Sequence, residues 1–259
     1  MDFTVADHRR IIAIANQKGG VGKTTTAINL GAALAELGHP VTVVDLDPQG
    51  NASTGLGIDS ADRDPNSYDL ISGDTGWVEA NRPTTIEHLS IVPATADLAS
   101  AELDIAGRPR RTQLLADALR DASGTVLIDC PPALGLLTLN AMVAADSVIV
   151  PLQAEFYALE GLSQLMLTIR EVRASANPAL RIEGVLLTMS DARNNLSQQV
   201  EADARKTLGP LVFDTVVPRN VRVSESPSHA MPVIHYDPSS KGSAAYRALA
   251  QELIAKRSR

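Results

Sequence analysis

Apolar runs of strand length recur along the chain at IIAIA (11–15), VTVVD (41–45), LSIVP (89–93), TVLID (125–129), SVIVP (147–151), IEGVLLT (182–188) and LVFDTVV (211–217). Between several of them lie helix-like stretches, at Thr24–Leu37, Leu114–Leu119, Leu136–Ala145, Leu159–Ser175 and Leu196–Leu208. Strands that are apolar throughout, joined by helical crossovers, are what a parallel sheet covered on both faces requires. The pattern predicts a single α/β domain over residues 1–259, with a doubly wound, mostly parallel sheet flanked by helices. A last helix, Ser243–Lys256, sets Tyr246, Leu249, Ala250, Leu253 and Ile254 on one stripe, which is expected to pack on the sheet. A membrane-surface role for it has Lys256, Arg257 and Arg259 in its favour, but the apolar face lacks Trp and Phe. Asp59–Pro83, rich in Asp, Ser, Gly and Asn, reads as a surface insertion.

Charge refines this picture. The 259 residues carry 23 basic and 30 acidic side chains, net −7, which excludes a generally basic nucleic-acid coat. The balance is uneven: residues 1–180 hold 12 basic and 22 acidic side chains, residues 181–259 hold 11 and 8. Any polyanion is therefore expected at the C-terminal third. A single cysteine, Cys130, forbids an internal disulfide, fits a reducing cytosol and reads as a small packing residue. Five scattered histidines beside it show no metal-ligand spacing. The charged start MDFTVADHRR is unlike a signal peptide, and no apolar run approaches the ~18 residues of a membrane span. A cytoplasmic protein without a membrane partner is expected.

The chemistry concentrates where IIAIAN runs into QKGGVGKTTT and then into a helical pattern: strand, glycine loop, helix. Glycines 19, 20 and 22 permit backbone angles that other residues avoid, so successive N–H groups can face an anion at a helix N-terminus. Lys18, Gly19, Gly20, Val21, Gly22, Lys23, Thr24 and Thr25 form the candidate nucleotide-binding loop of a P-loop NTPase fold. Lys23 is placed to reach β and γ phosphates, and the Thr24 hydroxyl to ligate Mg²⁺. Relative to GxxxxGK[ST] the loop departs at its first position, Gln17, which argues for a subclass. A dinucleotide fingerprint fails because Thr25 stands where its third glycine is required.

Lys18 is anomalous. A second lysine in this loop repels Lys23 unless something anionic lies on its outer side. It is either a solvent-facing lysine or one that reaches a nucleotide on a second subunit, as an arginine finger does. Asp45 ends the second apolar run and Asp47 follows it, at the strand edge that faces the ligand crevice. Asp47 is the candidate for handling the attacking water, and Asp45 either joins the magnesium shell or holds the loop; both could instead cap the segment after Pro48. Asp129, closing TVLID, is the expected second magnesium anchor, acting through water, or else a turn carboxylate.

At QKGGVGKTTTAINLGAALAELG, DLDPQGNAST, LIDCPP, PLQAEFYALEGL, TMSDAR and VPRNVRVSESPS, the chain resembles a ParA/Soj-type partition ATPase of the deviant Walker A class, over about residues 9–250. The resemblance implies ATP and Mg²⁺ as cofactors, Lys18 as signature lysine, Lys23 as P-loop lysine, Asp47 as hydrolytic carboxylate and Asp129 as Walker B residue. It also implies an ATP-sandwich homodimer in which Lys18 acts in trans and Gly19 packs against the facing subunit. Non-specific double-stranded DNA and a ParB-like partner follow as expected ligands, with weak intrinsic hydrolysis stimulated by both and a nucleoid location. Arg193 and Arg222 match arginines of two late motifs that bind DNA; Lys241, Arg247, Lys256 and Arg257 lie in the same positively balanced part. Phosphate contacts need charge and no base readout. Pro218–Asn220 is implied to lie near the adenine. Ten residues precede IIAIAN, so an N-terminal helix-turn-helix domain and operator binding are not expected. The alternatives are a same-fold ATPase that positions another cargo, a MinD-like membrane-surface regulator, and a metabolic P-loop ligase or kinase.

Overall fold

The computed structural model describes residues 9–155 and 158–257. Phe156, Tyr157 and Arg259, named above within a motif or a basic cluster, lie outside the described residues.

Eight strands form one sheet: β1 (Arg10–Ile14), β2 (Val41–Asp45), β3 (Arg82–Pro83), β4 (Leu89–Val92), β5 (Thr125–Asp129), β6 (Ser147–Gln153), β7 (Arg181–Ser190) and β8 (Val212–Pro218). Their order is β3-β4-β2-β5-β1-β6-β7-β8, and every pairing is parallel except β3 with β4. The seven expected strands are therefore present, with β3 as an antiparallel edge. β1 lies between β5 and β6, so the chain turns opposite ways on its two sides. Such a switch point opens a ligand crevice at the carboxyl ends of the strands.

The crossovers are helical: α1 (Lys23–Glu36), α2 (Asn51–Gly55), α3 (Ser67–Ser72), α4 (Trp77–Ala80), α5 (Leu98–Ala106), α6 (Leu114–Ala118), α7 (Leu136–Ala144), α8 (Ala158–Ser175), α9 (Asn195–Leu208), α10 (Val221–Glu225), α11 (Val233–Tyr236) and α12 (Lys241–Arg257). Side chains of a strand alternate between faces, and β1 divides accordingly. Ile11 and Ala13 join a core that includes α5 and α7, while Ile12 and Ile14 join one built with α1 and α12. On α12, Tyr246, Leu249, Ala250 and Leu253 are buried in the second core, so its apolar stripe is already covered. Among the described residues no helix is long and apolar enough to cross a membrane.

The segment 59–83 corrects the surface-insertion reading. Leu70, Ile71, Trp77 and Ala80 are buried in the first core, because short helices α3 and α4 each carry a few apolar residues inward despite a polar average. At the other edge, side chains cover the backbone of β8. Glu252 of α12 accepts from the N–H groups of Asp214 and Thr215 at 2.8 and 2.9 Å, and Arg205 of α9 donates to the Phe213 and Asp214 carbonyls at 3.1 and 3.3 Å. Satisfied edge groups offer no template for a foreign strand.

Candidate nucleotide site

β1 delivers the glycine loop to the N-terminus of α1. Gly20 and Gly22 adopt φ of +73° and +89°, angles that disfavour any side chain. Gly19 does not share that constraint, and a Cβ built on it would meet none of the described residues within 4 Å. Only two of the three loop glycines are thus needed for backbone geometry. Long-range contacts fix the loop. The Asn16 amide donates to the Pro151 carbonyl at 2.7 Å and its oxygen accepts from the Lys18 N–H at 3.0 Å. Thr188, from the end of β7, donates its hydroxyl to the Val21 carbonyl at 2.9 Å.

The two lysines diverge. Lys23 is buried, and its ammonium donates to the Lys18 carbonyl at 3.1 Å, curling back over the loop. Burial pulls its pKa down, against the opposing pull of Asp129 and Asp47. The Lys18 side chain is 47% exposed and points to the rim, where its ammonium lies 3.5 Å from the Glu155 carboxylate.

Three aspartates face this loop. The β2–β5 register sets Asp45 beside Asp129, and both are fully buried. Asp45 accepts from the Ser53 N–H and hydroxyl at 2.8 and 2.7 Å and from the Asp47 N–H at 3.3 Å. These contacts are those of the loop-holding alternative. Burial pushes its carboxyl up to about 6 despite them. Asp129 is pushed well above the usual range by burial and by Asp45, only partly offset by the Thr24 hydroxyl and Lys23 nearby. Among the described residues no hydrogen bond closes on either of its oxygens. Asp47 is nearly buried, and its Oδ1 accepts from the Gln49 N–H at 3.0 Å. Cys130, adjacent to this group, is wholly buried and its thiol is pushed far up by burial, in keeping with a packing role.

A buried carboxylate that Lys23 and the Thr24 hydroxyl offset only in part fits a hydrated divalent cation, which would add the missing compensation. Among the described residues no cluster of three or more His, Cys, Asp or Glu side chains could hold a metal alone. That donor set suits magnesium, which is held through one or two protein oxygens together with phosphates and water.

Beside the loop a hollow of about 190 Å³ is lined by Gly22, Thr25, Thr188, Pro218, Asn220 and Tyr246, among others. Pro218 and Asn220 are thus brought to the glycine loop from the far end of the sequence. The Asn220 oxygen caps α10 by accepting from the Arg222 N–H at 2.8 Å.

The candidate DNA-binding cations behave differently from one another. Arg193 is 91% exposed and pairs with Asp191 at 3.1 Å. Arg222 pairs with Glu225 at 3.0 Å and Asp237 at 3.4 Å. Arg247 forks onto Glu36 at 2.7 and 3.0 Å and donates to the Pro238 carbonyl at 2.7 Å, so it staples α12 to α1. Lys256 lies 4.0 Å from the Phe213 ring centroid and 3.5 Å from Glu252. Lys241 is exposed and lines an open hollow with Ala192, next to Arg193. Arg222, Lys241 and Arg247 gather around the turn before α12.

Sequence reasoning missed the supporting residues Asn16, Ser53, Thr188 and Glu155. Ser53, Thr188 and Glu155 stand in motifs already singled out, DLDPQGNAST, TMSDAR and PLQAEFYALEGL, which was the available signal; Asn16 had none beyond its proximity to the glycine loop.

Comparison with known proteins places these features in context. A family model described as an AAA domain matches residues 9–182. The chain is 55% identical over 256 residues to the chromosome partitioning protein ParA of Caulobacter vibrioides, covering 97% of this chain and 96% of that one. It is 51% identical over 249 residues to the sporulation initiation inhibitor protein Soj of Bacillus subtilis, covering 95% and 98%. A crystal structure described as cobyrinic acid a,c-diamide synthase from Mycobacterium smegmatis, with bound ADP and magnesium, superposes with a TM-score of 0.84 at 38% identity and 97% coverage of both chains. With a glycine loop, paired strand-end aspartates and near-complete coverage by relatives of more than half identity, the chain belongs to the ParA/Soj family of P-loop ATPases.

Proposed function

We propose that this protein is an ATP-hydrolysing partition switch: ATP joins two copies face to face, the dimer holds non-specific double-stranded DNA, and a ParB-like partner stimulates hydrolysis and release. The observation that carries the reading is the divergence of the two loop lysines. Lys23 folds inward over the loop, whereas Lys18 is turned out to the rim. A cation aimed away from its own phosphate cradle is available to a nucleotide on a facing copy. Gly19 agrees: none of the described residues requires a glycine there, whereas a close neighbour on a facing copy would.

Within each copy, loop N–H groups and Lys23 bind the phosphates and the hollow at Pro218–Asn220 takes the base. Thr24 and Asp129 would hold magnesium, and Asp45 steadies Ser53 and the Asp47 loop. Bound magnesium would supply positive charge that neutralises the phosphates. Asp47 orients the attacking water and accepts its proton, with Lys18 of the facing copy adding positive charge as negative charge develops. Hydrolysis is slow in the unpaired protein because that charge is missing. Arg193, Arg222 and Lys241 supply phosphate contacts, and pairing two copies doubles them.

The relatives' names as partition proteins support this reading over a metabolic one, although the 38% identical structure carries a synthase name. ATP-dependent cosedimentation with duplex DNA and with liposomes tests it. Salt-sensitive retention on DNA is expected; retention on liposomes alone would favour the membrane-surface regulator.

A further inference from the structure

Glu155 sits where three loops of the crevice meet. It follows β6, and a tight turn fixes it there: its N–H donates to the Gln153 carbonyl at 2.8 Å, and the Gln153 amide donates to its Oε1. Each carboxylate oxygen faces one cation, Lys18 of the glycine loop at 3.5 Å and Arg219 of the β8–α10 connection at 3.8 Å. The nucleotide machinery described above does not use this carboxylate. The strand order brings Lys18 to Glu155, because β1 and β6 are neighbours and their following loops lie side by side.

We propose that Glu155 is a positioning residue that holds Lys18 in cis and thereby restrains pairing of two copies. The inference rests on the proposed trans role of Lys18. To reach a facing nucleotide, Lys18 must leave Glu155, and the cost of that separation is added to every dimerisation event. The carboxylate keeps Arg219 as its partner once Lys18 departs, so no charge is stranded. Both groups are about half exposed, so the restraint is small and screened by salt. It sets the concentration at which nucleotide-bound copies pair rather than whether they can.

The test is Glu155→Gln, which keeps the size and hydrogen-bonding oxygen but removes the charge. Sedimentation with magnesium and a slowly hydrolysed ATP analogue should show tighter dimerisation, by about threefold to fivefold at low salt, with the difference vanishing at high salt. A second readout needs no nucleotide: acylation of Lys18 by a water-soluble activated ester, followed by mass spectrometry, with buried Lys23 as internal reference. Lys18 should react faster in Glu155→Gln and slower in Arg219→Gln, where the carboxylate has no other cation. Unchanged or weaker dimerisation of Glu155→Gln, against a wild type that pairs, would overturn the restraint alone, as would equal Lys18 labelling in all three proteins. A wild type that stays monomeric with the analogue would overturn the dimerisation reading on which the restraint rests.

Discussion

The crevice at β1, β2 and β5 and the cationic surface before α12 use charge in opposite ways. In the crevice, Asp45 and Asp129 are fully buried side by side, and among the described residues no hydrogen bond closes on Asp129. On the surface, Arg193, Arg222 and Arg247 are each paired with a carboxylate of the same chain. A buried charge left uncompensated demands a ligand, whereas an exposed pair is worth little and can exchange partners at small cost. The first region is built for one tightly defined occupant. The second, on the proposed function, exchanges those carboxylates for a polyanion that is gripped and released.

Five substitutions sharpen that contrast. The largest effect is expected from Asp47→Ala, which should lower ATP turnover by about 10²–10⁴-fold, the usual range for a general base, while ATP-dependent dimers persist. Phosphate-release and sizing measurements check both halves. Next, Gly19→Val should abolish dimerisation yet leave thermal stability within about 0.5 kcal/mol, since none of the described residues lies within 4 Å of the added Cβ. A large loss of stability would place the need for glycine inside the chain. Asp129→Asn should stabilise the nucleotide-free protein by about 1–3 kcal/mol, a rise of several degrees in Tm, and remove the further stabilisation that magnesium with ADP gives the wild type. Finally, Arg222→Glu should abolish DNA retention with dimerisation intact, whereas Arg247→Ala should weaken retention less and lower stability by about 0.5–1 kcal/mol through loss of the Glu36 staple. Equal losses of retention would show that Arg247 leaves Glu36 for DNA.

The contrast also explains what could be read in advance. Strands such as TVLID and the Gly-rich loop carry local signatures, a continuous apolar run and backbone-permissive residues, and the structure follows them within a residue or two. The supporting contacts carry none. Thr188 meets Val21 across 167 positions, and Asn29 of α1 accepts from the Val233 N–H across 204. Those pairings are products of strand order, invisible until the sheet is assembled. The segment 59–83 misled because its average is polar while the few residues that decide its packing, Leu70, Ile71 and Trp77, are spaced irregularly. Arg247 was grouped by charge alone, and only the fold brings Glu36 to it.

The most direct test of the central claim, that nucleotide occupancy governs pairing through Lys18, is the particle mass with saturating magnesium and a slowly hydrolysed ATP analogue, for wild type and Lys18→Gln. Two copies per particle for the wild type and predominantly one for the variant is the predicted result. A wild type that remains a single copy, or a variant that pairs as tightly, would contradict it.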